Sequence, residues 1–336
     1  MKEFGSEFWL EKELSLLPQH RDGCYVLSGR TAIDLIIQNI IKTRPVRNAY
    51  LPAWCCDSMV EPFLSRGIQV ELYDMNFEGT LHYYVDTKKK TDIFYVSNYF
   101  GYENTIDYKI IHQFKQNGAI IIYDRTHSFL MEENYLWTNY SFASIRKWMG
   151  VVAGAVVDGV GECDLKPCPY LICKEKAMRM KKAYIEDDKT IEKQTFLSLY
   201  SEFGHHLAED FQNYEMDDLS YALYKSEDLS AMRRKRRENA RYLYEHLKDV
   251  RFIGEITDDT VPLFVPVIFD TTEQRNAVRK KLIDAQIYCP VHWPKPTQIP
   301  ADYEANKIYD TELSLICDQR YDLGNMERIV TQINSV

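Results

Sequence analysis

Gly118-Ala-Ile-Ile-Ile-Tyr-Asp124 reads as a strand buried on both faces, because an unbroken aliphatic run bounded by a glycine leaves no polar side for solvent. It delivers a carboxylate at its C-terminal edge, where open α/β sheets bind their ligands. Outward from it, strand-like runs at 25–28, 49–52, 69–73, 93–97, 119–123, 140–143 and 154–157 alternate with helical ones. The alternation predicts an α/β fold with a mainly parallel central sheet and flanking crossover helices. A charged, irregular stretch from 160 to 200 and a long helix near 220–247 follow. An apolar run at 262–269, a helix near 272–285, a short strand at 314–317 and a final helix near 323–334 then suggest a smaller C-terminal α+β domain. The expected division is a large domain over 1–235 and a small one over 236–336.

Cys24-Tyr-Val-Leu-Ser-Gly-Arg-Thr-Ala-Ile-Asp-Leu-Ile-Ile37 combines a short apolar strand, a Ser-Gly turn and a helix with Ile33, Ile36, Ile37 and Ile40 on one face. Backbone N–H groups at such a helix start bind phosphate, which makes Gly29, Arg30 and Thr31 candidate ligands. A second hydroxyl could come from Ser144, three residues before Lys147, or from Ser141. An amine that attacks a carbonyl must be unprotonated, and a lysine buried beside an aromatic ring and a cationic ring nitrogen is pushed toward that state. Lys147 is the candidate. A pyridine nitrogen stays protonated only beside a fixed carboxylate, which suits Asp124. These residues, in this order, match what is needed to hold pyridoxal 5'-phosphate (PLP) as a Schiff base.

The chain resembles the DegT-type (DegT/DnrJ/StrS) sugar aminotransferases of fold type I, the aspartate aminotransferase superfamily. That family's members transfer an amino group, usually from glutamate, to a keto sugar carried on a nucleotide. Ser28-Gly-Arg-Thr-Ala32 resembles its phosphate-binding turn, and Leu51-Pro-Ala-Trp-Cys-Cys56 its ring-stacking segment, which implies that role for Trp54. Asn98-Tyr-Phe-Gly101 resembles its aromatic-Gly segment. Asp124-Arg-Thr-His-Ser128 resembles the segment whose Asp meets the ring nitrogen and whose fourth residue, here His127, lies near the ring hydroxyl. Tyr140-Ser-Phe-Ala-Ser-Ile-Arg-Lys147 resembles the strand leading to the Schiff-base lysine. Asn213-Tyr-Glu-Met-Asp-Asp-Leu219 resembles a stretch whose Asn reaches the neighbouring subunit's phosphate, which implies a homodimer with shared active sites. His292 in Pro290-Val-His-Trp-Pro294 resembles the family's substrate-side histidine.

Three departures stand out: Arg30 for Thr, Glu215 for Arg, and Val151-Val-Ala-Gly154 for Gly-Glu-Gly-Gly. Dehydratases of the family replace the lysine by histidine, so Lys147 favours transamination. The departures keep two alternatives open: action on a small amino acid or keto compound, or a non-catalytic binding or regulatory homologue.

The composition fits this reading. A chain of 336 residues, 45% of them hydrophobic, has material for a large core. A formal charge of -9 argues against nucleic acid as partner, since that binding needs a basic face. The run Arg233-Arg-Lys-Arg-Arg237 is expected on a solvated helix face. Lys166, Lys174, Lys176, Arg179, Lys181 and Lys182 read as a solvated helix face or as a groove for a nucleotide diphosphate. The eight cysteines, with no secretory signal before them, are expected as reduced thiols in the cytoplasm. Cys163, Cys168 and Cys173 lack zinc spacing, so no metal is expected. The longest apolar runs are far short of the ~20 residues of a membrane span. Serine-hydrolase, P-loop and dinucleotide-binding motifs are absent from the sequence.

Overall fold

The computed structural model describes residues 3–12, 14, 21–103, 106–188 and 190–335. They fall into two compact units, one of residues 1–3, 7–45 and 140–227, the other of 4–6, 46–139 and 228–336.

In the first unit, Cys24–Val26 pairs antiparallel with Ala155–Asp158, which pairs antiparallel with Tyr140–Ser144. Helix Gly29–Ile41 buries Ile33, Ile36, Ile37 and Ile40, the face that the sequence marks. The 160–200 stretch, expected to be irregular, instead forms two helices that pack on each other, Leu171–Ile185 and Lys193–Glu209. Their charged residues are not all solvated. Lys174 and Lys181 are 3% and 1% exposed. Lys181 reaches the Glu7 carbonyl and lies 5.5 Å over the Trp9 ring, its stem buried and its ammonium satisfied by a backbone acceptor.

In the second unit the strands Gln69–Phe77, Asn48–Pro52, Ile93–Ser97 and Ile120–Asp124 lie in that order, all parallel, with Leu81–Tyr84 added antiparallel at the outer edge. Ser97 sits opposite Asp124, so the segments leaving both strands start from one edge. The C-terminal part is an antiparallel sheet of Arg251–Phe252, Val265–Ile268 and Glu312–Leu315. Val265, Leu313 and Leu315 share a core with Leu243, Leu282 and Ile329 from three helices. The mixed α/β architecture with a mainly parallel sheet and a C-terminal α+β part is the one expected.

The single helix expected near 220–247 is two, Asp218–Lys225 and Leu229–His246. Asp228 breaks it by accepting from the Ala231 N–H at 2.9 Å, an N-cap that restarts the helix. The basic run on the second helix is not wholly a solvated face. Arg236 is fully buried, donating to the carbonyls of Pro262 and Leu263 at 3.2 and 2.9 Å and to Gln319 Oε1 at 2.8 Å. No helix among the described residues is long and apolar enough to cross a membrane.

Candidate active site

In the second unit, Asp124 ends its strand and is 8% exposed. The Tyr95 hydroxyl donates to Oδ2 at 2.9 Å and the Thr126 N–H to Oδ1 at 2.8 Å. Burial, reinforced by the Asp124 charge, holds the Tyr95 phenol well above its ordinary range, so it keeps its proton and remains a donor. Both of these neighbours donate, and the carboxylate accepts.

His127 follows three residues later. The Phe100 N–H donates to its Nδ1 at 3.3 Å, so a neutral ring carries its proton on Nε2. Phe100 and Gly101 bend back with φ of +63° and +80°. A side chain at Gly101 would put its Cβ 2.1 Å from the Val261 carbonyl oxygen, so only glycine allows the approach. Val261 N–H and Leu263 N–H donate to the carbonyls of Gly101 and Phe100 at 3.1 and 2.9 Å.

Trp54 is fully buried and stacked on Tyr99 at 4.8 Å and 8°, with Nε1 donating to the His292 carbonyl at 2.7 Å. Trp293 stacks on His127 at 5.5 Å and meets Trp54 edge-on at 5.7 Å. The unit therefore gathers Trp54, His127 and His292, with Asp124 on the segment that carries His127. Sequence reasoning missed Tyr95, Glu312 and Ser314, the last two being bonded to His292. A tyrosine in the otherwise apolar run Ile93-Phe-Tyr-Val96 was the one signal available for Tyr95.

In the first unit, Ser28 caps the helix. Its Oγ accepts from the Thr31 N–H at 3.2 Å and lies 2.9 Å from the Thr31 hydroxyl. Thr31 thus closes the turn, while first-turn amides of the helix have no acceptor within it. The turn lies on the end of strand Tyr140–Ser144: a Cβ built on Gly29 would stand 3.6 Å from the Ser144 Cβ. Ser144 is 3% exposed, and Ser141 donates to Asp158 Oδ2 at 2.9 Å, so Ser144 is the serine beside the turn. Lys147 follows on the single turn Ile145–Lys147 and is half-buried.

The Arg30 side chain turns onto the helix Lys193–Glu209, with its guanidinium donating to the Leu207 carbonyl at 2.7 Å. Asn213 adopts φ +59° and accepts from Gln38 Nε2 at 2.9 Å. Glu215 is paired with Arg21 at 2.9 Å. Gly154 takes φ +141° against Met216. Burial, with the positive charge of Arg146 beside it, lowers the Lys174 ammonium to about 7.

The first unit holds a helix start with a hydroxyl beside it and a half-buried lysine, and the second holds an accepting carboxylate; each is a kind of group that PLP requires. No protein-family model matches the sequence, and no curated protein matches it in sequence. Solved structures do match in fold. PseC of Helicobacter pylori, an aminotransferase involved in the biosynthesis of pseudoaminic acid, superposes with a TM-score of 0.70 at 14% identity over 99% of both chains. Spr1654 of Streptococcus pneumoniae, a putative sugar aminotransferase in its PMP form, gives 0.66 at 12% identity over 93% of this chain and 86% of its own. NtdA of Bacillus subtilis, with bound cofactor PMP, gives 0.63 at 16% identity over 93% and 72%. At these identities the likeness is one of fold.

Proposed function

We propose that the protein is a PLP-dependent aminotransferase, moving an amino group from glutamate to a nucleotide-linked keto sugar. One observation carries the cofactor assignment: the C-terminal end of a buried parallel strand presents the Asp124 carboxylate as an acceptor, taking the Tyr95 hydroxyl and the Thr126 N–H. The fold shared with PseC and with the PMP-bound NtdA supports the class of reaction.

When bound, PLP supplies an aldehyde and an electron-accepting ring. Lys147 Nζ would hold the cofactor covalently and would serve as the base for the donor's α-proton. Asp124 accepts from the ring N–H. The Gly29, Arg30 and Thr31 turn orients the phosphate, with the backbone of the first two and the Ser144 hydroxyl as donors. His127 offers its Nε2 proton to the ring hydroxyl, and Trp54, fixed by Tyr99, forms a wall of the ring pocket. His292 faces the substrate. Asn213 reaches the phosphate of a second copy, making the working form a homodimer in the cytoplasm. One observation favours a smaller acceptor as the second reading. Glu215, standing where the resembled family has arginine, is paired with Arg21, whose guanidinium is also paired with Asp218, so the charge at this place is taken up by carboxylates of the same unit.

The test is the visible absorption spectrum of the protein reconstituted with PLP and titrated with L-glutamate. A cofactor band that bleaches on titration is expected. A band that ignores glutamate and other amines would assign a binding role, and no band at all would overturn the cofactor assignment.

A further inference from the structure

His292 is held at three points. Its N–H donates to Glu312 Oε2 at 2.7 Å, its carbonyl accepts from Trp54 Nε1 at 2.7 Å, and its Nδ1 lies 2.8 Å from the Ser314 hydroxyl. Glu312 and Ser314 sit two apart on one strand and so share a face, and neither has any exposed surface. The Ser314 hydroxyl also bonds the other oxygen of Glu312. A carboxyl, a hydroxyl and an imidazole therefore form one continuous chain.

The hydroxyl has a single proton, and this gives the chain two states. With Glu312 protonated, the carboxyl donates to Ser314, Ser314 donates to Nδ1, and the ring proton sits on Nε2. With Glu312 ionised, Ser314 donates to the carboxylate and accepts from an Nδ1–H, and Nε2 carries a lone pair. Counting protons over the three groups gives three in the first state and two in the second. The proton that departs leaves from Nε2, while the negative charge appears on Glu312.

We propose that Glu312 and Ser314 are positioning residues of a proton relay that sets which nitrogen of His292 is protonated, so that His292 delivers or takes up a proton at Nε2. This rests on the reading of His292 as a residue facing the substrate, whose oxygen would receive that proton.

The surroundings set the working range. Burial pushes the Glu312 carboxyl up to about 8, opposed by its bonds to Ser314 and His292 and by the Arg275 charge. Arg275, on helix Thr272–Asp284, donates to the Glu312 carbonyl at 3.1 Å. Arg279 on the same helix and Asp310 act on Arg275, the Cys289 thiol feels Glu312, and the His127 ring lies 5.8 Å from that of His292.

The experiment is long-range proton–nitrogen NMR of the full-length protein with 15N-labelled histidine rings, the His292 signals being identified by their loss in His292→Gln. Between about pH 6.5 and 9.5 the wild-type ring is expected to pass from Nε2–H to Nδ1–H, with a midpoint near 8. Glu312→Gln, whose amide donates to Ser314 as a protonated carboxyl would, should stay Nε2–H throughout. Ser314→Ala removes only a hydroxyl and should abolish the step without replacing the carboxyl. A wild-type ring that keeps one tautomer across the range, or a step that survives unchanged in either variant, would overturn the relay. The readout needs neither cofactor nor turnover, so its failure leaves the aminotransferase reading standing, and failure of the cofactor spectrum leaves the relay standing.

Discussion

The turn at Ser28–Thr31 and the cluster around His127 and His292 differ in how much chain each requires. The turn is made by four consecutive residues and the strand end beneath them, and the donors it offers are mostly backbone. The cluster draws on Trp54, Phe100, His127, His292 and Ser314, with contacts that join residues 22 to 238 positions apart. A backbone site survives a change of side chain; a site of mutually bonded side chains does not.

Several substitutions probe that contrast. Lys147→Ala should lower turnover by at least about 10³-fold and remove covalent cofactor attachment, with a thermal melt close to wild type. Asp124→Ala should reduce turnover by roughly 10²-fold or more and weaken cofactor retention, measured by equilibrium dialysis. Full activity in either variant would sink the site assignment.

The two units also bury opposite ionisable groups, and their stabilities should respond oppositely to pH. Glu312 has its folded carboxyl raised to about 8, so its contribution is intact below the ordinary carboxyl range and is lost as pH rises toward 8. Lys174 has its folded ammonium lowered to about 7, so its contribution is intact above the ordinary lysine range and is lost as pH falls toward 7. Urea denaturation should show Glu312→Gln gaining on wild type between about pH 5 and 8, and Lys174→Met gaining as pH falls from about 10 to 7, each by on the order of 3 kcal/mol. Parallel pH profiles for the variants and wild type would contradict this.

Within the turn, Ser144→Ala should weaken PLP phosphate binding about tenfold, the value of one hydrogen bond to a charged group. Arg30→Ala should change it less than about threefold, because the Arg30 side chain is bonded to the Leu207 carbonyl and only its backbone belongs to the turn. An Arg30 effect larger than that of Ser144 would show the turn to depend on side chains after all.

What could be read from sequence follows the same division. The strand ending at Asp124 and the helix that starts after Ser28 are set by local periodicity and capping, and the structure places both within a residue or two of the expected bounds. Strand Leu81–Tyr84 went unread because it is an edge strand with only Leu81 buried. Burial of Arg236 and Lys174 could not be seen either. What compensates a buried charge is a carbonyl or an aromatic face brought in from distant sequence, and composition records only the charge. Tyr95 and Asp124 are 29 positions apart, and Glu312 and His292 are 20, on elements with no local reason to meet.

The backbone contact at Gly101 carries a consequence for how such a chain can change its length. Because Gly101 and Phe100 accept from Val261 and Leu263 with no room for even a methyl group between, the stretches 98–101 and 260–263 are matched residue for residue. One added or deleted residue in either would shift the ladder and turn His127 away from the Phe100 amide. Insertions and deletions among divergent relatives should therefore avoid both stretches. They should collect instead where the chain runs mostly exposed and outside any helix or strand, as it does around Gly159 to Glu162.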